Sequence, residues 1–186
     1  MDSSSSPARR ALDSTGLFSA AGGGVALAAP YRPHAAYFGR QVARLEDALR
    51  MAAGPAPRGV PPEVRFGAAL FNAGLFFEAH EYWEDVWRAS RPPERQFYHG
   101  LVQAAAGCYH AEKGNAHGTA VLLRKAREKL RPYAPRHRGV DVAALLAALD
   151  GVRPAGGPPR MRGASQEARP IAGIILRSSG TPDGGL

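Results

Sequence analysis

A single cysteine, Cys108, stands among 186 residues, so no intrachain disulfide can form and a packed core has to supply the stability. That count makes a reducing cytoplasm the expected compartment. No apolar run reaches the roughly eighteen residues of a membrane-spanning helix. Phosphate loops, Gly-x-Ser-x-Gly elbows and Glu-x-x-His pairs are absent too, and the last absence removes the di-iron signature of helical bundles. Acidic residues are few, 16 against 24 Lys and Arg, giving a net charge of +8. Such an excess favours anionic surfaces without deciding fold. No 34-residue repeat recurs, which excludes a tetratricopeptide array.

What is present reads as one helical domain between two tails. Residues 1–33 hold consecutive serines, a triple glycine and few large apolar groups, too little to offset the entropy of ordering, and read as a disordered leader. Arg9-Arg10 before the Gly-rich stretch 16–29 loosely resembles a twin-arginine export signal, but Asp13 falls where such signals carry an apolar residue. Domain residues 34–151 follow. Helical spacing of Tyr37 or Phe38, Val42, Leu45 and Leu49 predicts a first helix over 35–51, and Pro61-Pro62 opens a second over 62–72. Gly74 separates it from a third over 75–90, in a helical hairpin. Gln96 to Ala111 contains no Asp, Glu, Lys or Arg, which predicts a helix over 93–113 at the centre of the bundle, its small residues admitting a close neighbour. Gly114-Asn115 is a stop and restart before a helix from Ala116 that Pro132 ends. Asp141 caps a last short helix that Gly151 follows. The fold class is therefore all-α, a compact bundle of five to six helices. Residues 152–186 form a mostly disordered basic tail, except for the apolar patch Ile171 to Leu176.

Chemistry concentrates in Phe71 to Arg88, FNAGLFFEAHEYWEDVWR, which carries both Trp and three of the seven Phe. At 100° per residue, Phe76, Trp83, Val86 and Trp87 share one arc, with Glu78, Tyr82 and Asp85 opposite. His80 and Glu84 lie one turn apart at the arc's edge, where a His–carboxylate hydrogen bond is expected. This segment, F-N-x-G-x-F-F-E-x-H-E-x-W-E-x-x-W-R, followed by HGLVQAAAGCYH, resembles the family catalogued as domain of unknown function 309, over about residues 63–133. The resemblance implies a small all-helical protein and supplies no activity.

On the uncharged helix, His99, Gln103 and His110 share a 40° arc, and the reading lets this stripe face His80 and Glu84. His80 and Glu84 are the candidate catalytic pair; Glu81, Trp87, Arg88, His99, Gln103 and His110 are candidate binding residues. A divalent metal would take His80, Glu84, His99 or His110, since imidazole and carboxylate suit zinc, iron or nickel. His80-Glu81 begins a zincin pattern, but Glu84 replaces its second His. Cys108, opposite the His stripe, reads as a core thiol. Two functions follow: a ligand-binding or protein-interaction module with a polar His/Glu/Gln pocket, or a small metal-assisted or acid-base hydrolase using that pocket. The basic segment 124–138, seven Lys or Arg against one Glu, adds a weaker nucleic-acid reading.

Overall fold

The computed structural model describes residues 18–21, 24–27, 32, 39, 42–48, 59–154, 174 and 176. Helices dominate among them. The helical stretch 42–48 is α1; α2 is Pro62–Asn72, α3 Phe76–Ala89, α4 Glu94–Glu112, α5 Ala116–Leu130 and α6 Val142–Asp150. The ends of the predicted first helix lie outside the described residues. Two short ladders accompany the helices: β1 Phe18–Ala21 pairs antiparallel with β2 Gly24–Leu27, and β3 Arg136–His137 with β4 Val140–Asp141. The first ladder falls within residues 1–33. Its register, Ala21 opposite Gly24, leaves a two-residue connection, and the sequence supplies Gly-Gly there, the composition that tight hairpins favour.

Both helical hairpins turn by the same device. At the end of α2, Leu75 N–H donates to Leu70 O (3.0 Å) and Gly74 N–H to Phe71 O (3.0 Å); at the end of α4, Asn115 N–H donates to His110 O (2.9 Å) and Gly114 N–H to Ala111 O (3.1 Å). Gly74 and Gly114 sit at φ 73° and 71°, the left-handed backbone this termination requires and glycine adopts without strain. Asn115 then caps α5, its side-chain oxygen accepting from Gly118 N–H (2.9 Å). Asp141 caps α6 in the same way through Ala144 N–H (3.0 Å).

The helix built on the uncharged run, α4, is the centre of the bundle, with Phe97, Tyr98, Leu101, Val102, Ala104, Ala105, Cys108 and Ala111 all buried. A Cβ on Gly100 would stand 2.7 Å from Leu130 Cγ, and one on Gly107 would overlap Leu123. The bare backbone of α4 is thus what lets α5 lie against it. On the other side Trp83, fully buried, fills the space left by Gly67 of α2 and packs near Phe71 (6.2 Å between ring centroids). Helix α3 buries a wider surface than its predicted arc. Tyr82, expected on the wet side, is buried edge-on against Phe66 (4.9 Å, 78°), because α2 covers that flank. Glu78 is drawn in with it: burial raises its carboxyl pKa above the usual value, and the nearby Glu112 charge adds to the effect.

The apolar patch near the end of the chain has a docking place at its described residues. Asn72 Nδ2 donates to Ile174 O (2.8 Å), and Ile174 N–H donates to Asn72 Oδ1 (2.6 Å). Ile174 is buried, and Leu176 bridges to Val140. The rest of residues 155–186 lies outside the described ones, as do residues 1–17.

Candidate functional site

The seam between α3 and α4 is defined by two ring contacts, Phe77 with Tyr109 (centroids 5.5 Å) and Trp87 with His99 (4.4 Å, 25° between planes). In sequence, His80, Glu81 and Glu84 of α3 and Gln103 of α4 fall between those contacts. One nitrogen of His80 and one oxygen each of Glu81 and Glu84 lie within 4.8 Å of one another. The side chains are 27%, 30% and 24% exposed, so each reaches water without being fully solvated.

The pairing inside this group differs from the expected His80–Glu84 bond. His80 Nδ1 meets Glu81 Oε1 at 3.0 Å, while Glu84 takes Arg88 at 2.9 Å. Arg88 outcompetes the imidazole for Glu84 because its long i+4 side chain carries a permanent charge. Arg88 is itself 62% exposed and also reaches Asp85 at 3.6 Å.

The His stripe of α4 does not converge on this group as a unit. His99 stacks on Trp87, and Gln103 Nε2 donates to its Nε2 (3.2 Å). Burial and the positive charges of Lys129, Arg95 and Lys125 hold its pKa below the usual imidazole value. Gln103 Oε1 is buried without a hydrogen-bond partner. His110 stays at the far turn, where it bonds Asn115 Nδ2 (2.9 Å). The reason is axial: eleven residues bring a helix almost back to the same angle but carry it about 16 Å along its axis. A shared stripe is not a shared site.

Beside Trp87 the surface opens into a cavity of about 410 Å³ lined by Trp87, Pro92, Pro93, Arg95, Gln96, His99 and Tyr133. The Arg95 guanidinium lies 5.0 Å from the Trp87 ring centre. A larger cleft of about 630 Å³ sits on the other flank of α3, with Glu63, Tyr82, Tyr98, Glu94 and Arg138 in its wall. There Arg138 Nη2 donates to Glu63 Oε1 (3.0 Å), which also accepts from Tyr98 Oη (3.0 Å). Glu94 pairs with His137 (2.9 Å) and Arg138 (3.5 Å). Sequence reasoning missed this network, since its members come from three separated segments. One signal was open to it: Arg138-Gly139 is a tight-turn pair, and Arg138 sits at φ 46°, a backbone state that non-glycine residues seldom hold.

The remaining candidates are settled by their neighbours. Cys108 is buried, and burial pushes its thiol pKa up to about 12, which opposes thiolate formation. Within the basic segment, Arg124 is tied to Glu128 (2.7 Å), Arg127 to Asp150 (3.2 Å) and Arg138 to Glu63. Three of its seven cations therefore have acidic partners.

A family model described as Domain of unknown function (DUF309) matches residues 64–122, from the first turn of α2 to the middle of α5. An uncharacterized protein of Aquifex aeolicus (strain VF5) is 28% identical over 96 residues, an alignment covering 50% of this chain and 29% of that protein. The chain thus spans under a third of that relative's length. No solved structure matches.

Proposed function

We propose, for a chain whose residues 64–122 are a DUF309 segment, that the protein is a helical ligand-binding module whose α3 face holds a divalent cation through His80, Glu81 and Glu84. The observation that carries this is the clustering of the three donor atoms within 4.8 Å on one helix. Ligand atoms about 2.0–2.2 Å from a tetrahedral zinc stand about 3.4 Å from one another, so rotamer adjustments of about an ångström close the group around one. Arg88 would release Glu84 and return to water, which its exposure makes cheap. One imidazole and two carboxylates suit zinc, manganese or nickel in preference to copper(I). Three ligands leave positions for water, and that is where the alternative reading, a small hydrolase, would find its nucleophile. His99, Gln103 and His110 are not ligands in this proposal.

Cation binding to the folded state adds stability by mass action, about 2.7 kcal/mol at a hundredfold excess over Kd. Tag-free protein should unfold at higher urea with zinc, manganese or nickel than with EDTA, and His80→Ala should remove the difference. A midpoint unmoved by all three ions, or moved equally in His80→Ala, overturns the proposal.

A further inference from the structure

We infer that the cavity beside Trp87 binds a mononucleotide, taking the base against its aromatic wall and the phosphate against Arg95 and the lysines that act on His99. Trp87, His99 and Tyr133 supply three rings among its seven lining residues, and Pro92 and Pro93 complete an apolar floor. Heteroaromatic bases stack on such surfaces with little regard to sequence, each contact contributing about 1–3 kcal/mol. The rings are held in advance of any ligand. Trp87 lies against His99 at 4.4 Å, and Tyr133 donates its hydroxyl to Pro93 O (2.7 Å) while packing on Phe97 (5.3 Å).

Charge selects what the rings accept. None of the seven lining residues is acidic, and Arg95 is one of them. Lys129 is close by, its Cβ 3.4 Å from where a side chain on Gly100 would begin, next to His99. Lys129, Arg95 and Lys125 act together on the His99 ring. Arg95 already lies over the Trp87 ring and donates to the Trp87, Arg88 and Ser90 carbonyls, so a planar group alone would leave Lys129 and Lys125 unused, and a phosphate alone would leave the rings unused. Gln96 adds an amide able to donate to and accept from a base edge. The cavity, about 410 Å³, falls in the lower part of the roughly 300–1,000 Å³ range of small-molecule sites.

The inference is independent of the cation on α3, and its test is run in EDTA so that the two fail separately. Trp83 is buried, so ligand-induced quenching of tryptophan fluorescence reports Trp87. AMP should quench saturably, with adenosine and ribose 5-phosphate each at least tenfold weaker. Lys129→Glu should weaken AMP at least tenfold while leaving adenosine unchanged, and Trp87→Phe should abolish the signal, with circular dichroism verifying its fold. Absence of saturable quenching by AMP overturns the inference, as does equal binding of AMP and adenosine. Binding of a hexanucleotide without AMP binding also overturns it, pointing instead to a single-strand surface.

Discussion

Glu84 is the residue at which two accounts of α3 part. Its carboxylate could have been a buried partner of His80, and removing it would then strand an imidazole at a cost of about 1–3 kcal/mol. Instead it is bonded to the exposed Arg88, an i,i+4 pair of the kind that contributes about 0.3–0.5 kcal/mol. Glu84→Ala should therefore lower stability by less than about 0.5 kcal/mol in EDTA, and by less still at high salt. Urea denaturation at two ionic strengths checks this; a loss above 1 kcal/mol that ignores salt would return Glu84 to a buried role. At this scale the sequence set His80, Glu81 and Glu84 side by side and drew the wrong bond among them. Helical spacing puts His80 within reach of Glu84, but the choice between Glu81 and Glu84, and between His80 and Arg88, is a competition among neighbours that spacing does not rank.

Helices were more legible than side-chain pairs. The uncharged run Gln96 to Ala111, the Gly74 and Gly114 turns and the Asp141 cap each follow from local chemistry, and each appears where that chemistry puts it. Less legible was what covers each helix. Tyr82 looked solvated because α3 seemed to have one buried face, whereas α2 and α4 bury two. The two-residue ladder of β3 and β4 escaped because a basic, Pro-rich stretch carries no alternation to read. The close approach of α5 to α4 gives the sharpest test of the packing. Gly107→Val should cost about 2 kcal/mol or more, since the added atoms meet Leu123. A change under 0.5 kcal/mol in urea denaturation would mean that the two helices do not touch there.

Considered whole, the molecule groups its polar chemistry along the surfaces of α3, with the cation candidate on the seam, the aromatic cavity at one end of that seam and the Glu63–Arg138 network on the opposite flank. The all-helical bundle was readable because it rests on periodicity and turns. The aromatic cavity and the Glu63–Arg138 network were not, because they join separated segments, as distant as Glu63 and Arg138, whose meeting depends on tertiary packing. The net charge of +8 is an excess that remains after every acid is counted, and Arg124, Arg127 and Arg138 are cations of the basic segment that hold acidic neighbours. The central claim, a cation held by His80, Glu81 and Glu84, is tested most directly by counting metal. Equilibrium dialysis of tag-free protein against zinc, manganese and nickel, followed by elemental analysis, should find close to one ion per chain for at least one of them. His80→Ala and the double variant Glu81→Gln, Glu84→Gln should retain none. No stoichiometric ion in the wild-type protein, or an undiminished ion in both variants, would contradict the account.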